Sequence, residues 1–481
     1  MENVKAWRIY SGYCCGILRC MKQENICPVK KNETWTLDID ALGAEGHGIG
    51  RVGGEGQPGF VVFVPGALPG ERVEALIIKT TAQYAVGKLL RVLQPSPERV
   101  QPPCPVFGRC GGCQLQHMEY GAQLRFKQTQ VSDALRTIGG FAQAQVLPVL
   151  GMEQPWRYRN KGIFPVGGGK DGLYMGLYAQ RSHAIVDVSD CPIQPLAATA
   201  ALQAVRGWAE GHHIAPYDEQ AGTGVLRAVM VRHFEPDTTL VTVVTNGTVL
   251  PHARELVEAL RAQVPSLKGV VQNINAQRTN VVLGREERLL WGQAAVDARL
   301  GDLRYEVSSL SFFQVNTEQM RRLYDAAAAC AGLTGNELVI DAYCGVGTIG
   351  QYLAAKAGRV IGIESVPQSV EEARRAAARN GIQNAEYICG RAEDVFADLA
   401  AQGIRPDVIL MDPPRKGCDG RFLEAVVRSG APKLVYVSCN PATFARDARI
   451  LAQAGYELGP VQPVDMFPQT VDVECVGLMS R

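Results

Sequence analysis

Cys104-x5-Cys110-x2-Cys113, with Cys191-Pro192 far downstream, is a thiol set at metal-ligand spacing. Four thiolates suit a [4Fe–4S] cluster. A tetrathiolate zinc site is the physical rival, and a Cys3His zinc site using His117 in place of Cys191 is a second. Another cysteine stands in a different setting. Cys439 lies in SCNP (Ser438–Pro441), where Asn440 and Pro441 stop a strand. A thiol at a strand end is a nucleophile when its pKa falls. Cys344 and Cys418 compete for that role, and a buried inert thiol is the plain alternative. All seven histidines lie at or before position 252. The last third of the chain therefore cannot build a Cys–His hydrolase, and its proton acceptor must be a carboxylate, Glu474 in VDVEC or Asp472 beside it.

DAYCGVGTIG (Asp341–Gly350) follows a strand-like run and opens a helix. Gly345 and Gly347 let the backbone turn tightly and approach a ligand. Glu364 follows 23 residues after Asp341, where a carboxylate would hold a ribose hydroxyl pair. The loop lacks the third glycine of a dinucleotide fingerprint and has no P-loop lysine, which favours S-adenosylmethionine over NAD or ATP.

These groups need a scaffold. From Phe312 helices and strands alternate regularly, which predicts a doubly wound α/β, Rossmann-like sheet over 311–481. Its strands end in Asp341, Glu364, Asp412 and Ser438–Cys439. In a parallel sheet those ends share one edge, so the four should meet. Residues 94–310 mix strands and helices without strict alternation and read as an α+β central domain that contains the cysteine cluster. Residues 33–93 show four β runs, TWTLDIDALG, PGFVVFVPGAL, ERVEALIIKT and AVGKLLRVLQ, and read as a small β-barrel of oligonucleotide-binding type. Between the first two, Gly43–Gly54 reads as a flexible loop. Residues 1–32 have no period and read as a disordered extension, with Met21 as an equally good initiator.

With 49 basic against 48 acidic residues in 481, the net charge is +1, so nucleic-acid binding must rest on local basic patches. PWRYRNKGIF (Pro155–Phe164) is one: Arg157, Arg159 and Lys161 alternate with Trp156 and Tyr158, a pattern that can hold phosphates and stack bases. No apolar run reaches the roughly 20 residues of a membrane span, and no secretory leader is visible. The expected compartment is the cytoplasm. No protein partner can be inferred, and the chain reads as a monomer.

DPPRKG (Asp412–Gly417), then sixteen residues, LVYVSCNPAT, and finally VDMFPQTVDVE resemble the signature of the bacterial RNA uracil-5-methyltransferases. FFQVN (Phe312–Asn316) and DAYCGVGTIG match as well, and the likeness runs from about Thr34 onward. It implies that Cys439 attacks C6 of a uracil, that C5 takes the methyl group of S-adenosylmethionine, and that Glu474 removes the C5 proton. It also implies that Gln314, Tyr343, Glu364 and Asp412 contact S-adenosylmethionine. The family usually has histidine where this chain has Asp472. The barrel resembles the TRAM RNA-binding domain. The ribosomal-RNA branch of the family carries a [4Fe–4S] cluster on this cysteine pattern, which makes 23S ribosomal RNA the expected partner. The alternatives are the transfer-RNA branch, which typically lacks both barrel and cluster cysteines, and a non-catalytic RNA-binding assembly factor. A uracil inside folded RNA must be extruded to reach Cys439, which gives the additional domains a purpose.

Overall fold

The computed structural model describes residues 27–53, 59–169, 172–279 and 281–481. The expected disordered extension lies outside the described residues as far as position 26. Two compact units are present. The first holds the described residues up to Ala41 together with Gly48–Pro95, and the second holds Leu42–His47 with Ser96–Arg481.

In the N-terminal barrel, strands β1 (Thr34–Leu42), β2 (His47–Val52), β3 (Phe60–Pro65), β4 (Arg72–Thr80) and β5 (Tyr84–Gln94) close in the order β1-β2-β3-β5-β4. Alternate residues point inward, and Leu37, Ile39, Val62, Val64, Val73, Ala75 and Ile77 fill the interior. The glycine-rich segment read as a flexible loop instead supplies β2. Its inward positions are Gly48, Gly50 and Val52. A Cβ on Gly48 would lie 2.8 Å from the Ala67 carbonyl oxygen. The glycines are there because the barrel interior has no room for a side chain, not because the chain turns.

The second unit opens with helix α1 (Tyr120–Ala134), which the Glu119 carboxylate caps by accepting from the Ala122 N–H. It runs on through a π turn, Leu135–Gly139, and stops at Gly140, whose φ is 78°. A mixed sheet follows, with β6 (Lys161–Gly169), β7 (Gly172–Tyr178), β8 (Ile185–Asp187), helix α2 (Leu196–Gly211), β9 (Leu226–Phe234), β10 (Thr238–Thr245), helix α3 (Ala253–Gln263), β11 (Leu267–Ile274) and β12 (Glu286–Gly292). The sheet order is β12-β11-β10-β9-β6-β7-β8, with α2 and α3 packed on one face. A hairpin, β13 (Ala295–Leu300) and β14 (Leu303–Ser308), packs its buried Val296, Ala298, Tyr305 and Val307 into the core of the last region.

That region carries α4 (Thr317–Ala331), β15 (Leu338–Ala342), α5 (Thr348–Ala354), β16 (Arg359–Glu364), α6 (Pro367–Arg379), β17 (Ala385–Cys389), α7 (Ala392–Ala401), β18 (Val408–Met411), α8 (Gly420–Ser429), β19 (Lys433–Ser438), α9 (Pro441–Gln453), β20 (Glu457–Val464) and β21 (Glu474–Ser480). The sheet order is β17-β16-β15-β18-β19-β21-β20. Strands β15 to β19 are parallel, and the central β15, β16, β18 and β19 are largely apolar, as burial on both faces requires, while the edge strand β17 is partly exposed. Only β21 runs against its neighbours, pairing antiparallel with β19 and β20.

Helix α1 is tied to the loop between β20 and β21. Lys127 and Asp465, both fully buried, form an ion pair, and the Tyr120 hydroxyl donates to the other Asp465 oxygen at 2.7 Å. Burial pushes the Lys127 pKa down and the Asp465 carboxylate opposes that. One turn earlier, the Gln123 side chain donates to Gln469 Oε1 at 3.0 Å and accepts from the Gln469 N–H at 3.1 Å. Removing one partner of such a pair leaves a buried charge alone. Lys127→Met should therefore lower the unfolding free energy by about 3–5 kcal/mol, and Lys127→Met with Asp465→Leu should recover most of it, as read by urea denaturation.

Candidate active site

The carboxyl edge of the parallel sheet opens into a cavity of about 910 Å³. The glycine loop forms one wall. Tyr343, Gly345 and Gly347 take positive φ angles of 65°, 57° and 77°, and Gly347 caps α5. Glycine is required at 347 because a Cβ there would meet the Tyr387 ring at 2.8 Å. Asp341 holds the loop from below by accepting from the Gly350 N–H at 2.9 Å. Glu364 holds it from the side: one oxygen accepts from the Gly345 N–H at 3.1 Å and the other from the Val366 N–H at 2.8 Å.

Gln314, Tyr343, Gly345, Glu364, Asp412, Cys439 and Glu474 all line this one cavity. Gly347 stands behind the wall and shapes the turn. The Gln314 segment is fixed by Asn160, whose side chain donates to the Gln314 carbonyl at 2.8 Å. Phe312, at the mouth, is 68 % exposed. An exposed aromatic ring beside a polar cavity is a platform for a flat ligand.

Glu474 reaches this edge because β21 is reversed. Ser438 pairs with Cys475, so the start of β21 lies beside the end of β19. Burial pushes the Glu474 carboxyl up to about 8, Asp412 and Asp472 add to the rise, and Arg415 opposes it. Burial also raises Asp412 to about 7. Asp341 is raised to about 8, first by burial, then by Asp412 and Glu364, with the Gly350 N–H opposing. Burial pushes the Cys439 thiol up to about 11, Glu474 and Asp412 push in the same direction, and Arg415 opposes them. Both rival thiols are buried, and Cys418 lies under the Tyr436 hydroxyl, away from the cavity. Cys344 touches the cavity, but burial and the nearby Asp341 and Glu364 carboxylates hold its thiol well above the ordinary range.

The second cysteine set also converges. Cys104, Cys110, Cys113 and Cys191 line a small pocket of about 20 Å³ with Val106, Phe107, Leu177, Val188 and Ile193. Gly111 donates to the Tyr178 carbonyl at 3.0 Å, which lays the cysteine loop against β7. His117 packs on Phe107 and does not line the pocket. Among the described residues, no three His, Cys, Asp or Glu side chains are placed to share a single metal ion. The loop continues into the catalytic region: the Gln114 and Leu115 N–H groups both donate to the Gln469 carbonyl at 3.0 Å.

The basic stretch is divided by the structure. Arg157 is held bidentate by Asp190 at 2.6 Å and donates to the Cys191 and Gln194 carbonyls, so it braces the cysteine site. Tyr158 is buried with its hydroxyl on the Pro468 carbonyl, and Trp156 packs beside Cys113 and Cys191. The expected base stacking is therefore corrected for Tyr158, which belongs to the interior, while Trp156 is half-buried. Arg159 and Lys161 stay half-exposed. Burial pushes Lys161 down to about 8, and Arg232 and Arg159 add to the fall. Arg232 pairs with Lys161 across β6 and β9 and was not foreseen, because nothing in LRAVMVRHF marks its arginines as anything but outward-facing.

Residues 237–481 match the family model described as tRNA (Uracil-5-)-methyltransferase, and residues 28–90 match the TRAM domain. An uncharacterized RNA methyltransferase of Halalkalibacterium halodurans is 45 % identical over 454 residues, covering 94 % of this chain and 98 % of its own. Another, from Clostridium acetobutylicum, is 42 % identical over 461 residues, covering 95 % and 99 %. The crystal structure of Pyrococcus abyssi tRNA (uracil-54, C5)-methyltransferase with S-adenosyl-L-homocysteine superposes with a TM-score of 0.74 at 26 % identity, over 92 % of this chain and all of that one.

The raised carboxyls have a consequence for stability. In the unfolded chain Asp341 ionises near its ordinary value of about 4, whereas in the folded protein it stays protonated to about 8. Stability is therefore lost as pH rises across that window. The melting temperature should fall between pH 5 and pH 8, and Asp341→Asn should flatten that fall.

Proposed function

This chain belongs to the tRNA (uracil-5-)-methyltransferase family, and we propose that its methyl transfer runs through a covalent bond between Cys439 and C6 of the target uridine. It is an RNA methyltransferase that uses S-adenosylmethionine. The supporting observation is that one cavity is lined by the glycine loop, by Glu364, by the Cys439 thiol and by the Glu474 carboxyl. Gln314, Tyr343, Glu364 and Asp412 are the residues we assign to the methyl donor, with Gly345 and Gly347 shaping the loop beneath it.

The Cys439 thiolate adds to C6, and the C5=C6 electron pair moves to C5 in conjugation with the C4 carbonyl. C5 then takes the methyl group, leaving S-adenosylhomocysteine. Glu474 accepts the C5 proton, the C5=C6 bond re-forms, and Cys439 leaves as thiolate. A carboxyl that stays protonated up to about 8 is a weak participant below that pH. Adduct breakdown should therefore accelerate as pH rises towards 8 and then level off.

Arg159 and Lys161 are the RNA contacts this reading keeps, with Arg232 behind them. The substrate we assign is 23S ribosomal RNA. Transfer RNA is the second reading, and one observation favours it: the Pyrococcus abyssi enzyme, whose name specifies tRNA, aligns with 92 % of this chain, so domain content does not separate the two. Incubating the protein and S-adenosylmethionine with unmodified ribosomal and transfer RNA, and mapping 5-methyluridine in each, decides between them. In the same assay Cys439→Ala should lose methylation while retaining S-adenosylhomocysteine binding, and Glu474→Gln should accumulate a heat-stable protein–RNA adduct. Full turnover by Cys439→Ala would sink the mechanism.

For Cys104, Cys110, Cys113 and Cys191 we propose a [4Fe–4S] cluster. Four neighbouring thiols, one buried and three half-buried, whose ionised forms repel one another fit a cationic centre. A tetrathiolate zinc site is the rival, and metal analysis separates the two. Such a centre supplies local charge and cross-linking, with no electron transfer in the methylation scheme. Protein purified without oxygen should be brown, with about four irons per chain; stoichiometric zinc without iron would refute this.

A further inference from the structure

Arg415 sits in the loop that follows β18, stiffened by Pro413 and Pro414, and it ties that loop to two other strand-end segments. Its carbonyl accepts from the Asn440 side chain at 3.1 Å and from the Thr443 hydroxyl at 3.4 Å, which ties it to the turn that presents Cys439. Its guanidinium donates to Asp472 at 3.2 Å, in the segment that leads into Glu474. Arg415, Cys439 and Glu474 line the same cavity.

The charges around Cys439 are otherwise unfavourable to a thiolate. Glu474 and Cys475 approach from β21 and Asp412 from the end of β18, while Asp472, in the segment before β21, acts on Glu474. The cavity's other cations are Lys416, next along the loop, and Arg391, which is paired with Glu393 and Asp394 beyond β17. Arg415 is the cation that opposes the upward push on both Cys439 and Glu474.

We propose that Arg415, positioned by Asp472 and Asn440, stabilises the Cys439 thiolate and then the negative charge that attack delivers to the C4 oxygen of the pyrimidine; this rests on the reading of Cys439 as nucleophile. The thiol loses its proton to solvent, the sulfur–C6 bond forms, and the displaced pair resides on the C5–C4–O4 enolate. A guanidinium anchored at the sheet edge serves both anions in turn. Asp472 is a positioning residue. Its own charge would work against the thiolate, so its place beside Arg415 makes sense only if holding the guanidinium matters more.

That opposition gives a test with a sign. Full-length protein, purified anaerobically, is treated with iodoacetamide at pH 6–11 without RNA, and alkylation of Cys439 is followed by peptide mass spectrometry. The exposed Cys389 serves as internal reference. Loss of a nearby opposite charge moves a pKa by about one unit or more, so Arg415→Gln should slow Cys439 alkylation about ten-fold at fixed pH below the midpoint. Arg415→Lys should keep most of the wild-type rate. Asp472→Ala should also slow it. An unchanged or faster rate for Asp472→Ala overturns the positioning role, and an unchanged rate for Arg415→Gln overturns the proposal. Should Arg415→Gln not fold, as judged by circular dichroism, Asp472→Ala carries the test. Methylation by Cys439→Ala would refute the reading of the nucleophile without altering the alkylation result, so the two failures are distinguishable.

Discussion

Hydrogen bonding between β19 and β21 is antiparallel, from Lys433–Ser480 to Ser438–Cys475, and the reactive edge depends on this one reversed pairing. The parallel strands deliver Asp341, Glu364, Asp412 and Cys439 to the edge at their carboxyl ends. A strand that runs the other way must begin where those finish, so Glu474 arrives at its amino end. Acid, thiol and glycine loop then share one cavity. The cost is electrostatic: three carboxyls buried near one another stay protonated towards neutral pH.

The last third was legible because its chemistry and its topology agree. Strand ends that carry Asp, Glu and Cys in an alternating α/β pattern have one place to go. The motif SCNP marked Cys439 and VDVEC marked Glu474, and the structure brings both side chains to one cavity. The barrel was legible in four of its strands. The fifth was hidden because Gly48 and Gly50 have the composition of a turn while occupying interior positions of a strand. Glycine signals freedom in a sequence and close approach in a packed barrel, and only the packing distinguishes them.

The basic stretch misled for a related reason. Alternation of Trp, Arg, Tyr and Arg suggests a surface that holds phosphates and stacks bases, yet the segment is not a strand until Lys161. Arg157 is taken up by Asp190, and Tyr158 turns inward to Pro468. The ion pairs that organise the site were equally invisible. Arg415 and Asp472 are 57 positions apart, and Lys127 and Asp465 are 338 apart. No local pattern links such residues. The Asp472 substitution was visible in the sequence, but its partner was not.

The long-range contacts of α1 bear on how such a protein can be inherited. By sequence the methyltransferase sheet looks like a self-contained block beginning near Phe312. Yet Lys127 and Gln123, far upstream, satisfy the buried Asp465 and Gln469 of that block, and the cysteine loop donates two more hydrogen bonds to Gln469. A gene fusion that moved the sheet alone would leave a carboxylate and a peptide carbonyl stranded in apolar surroundings. The unit that recombination can shuffle intact therefore starts at the cysteines. Helix and cysteine loop travel with the catalytic sheet as one heritable piece, and the barrel is the part that evolution is free to exchange.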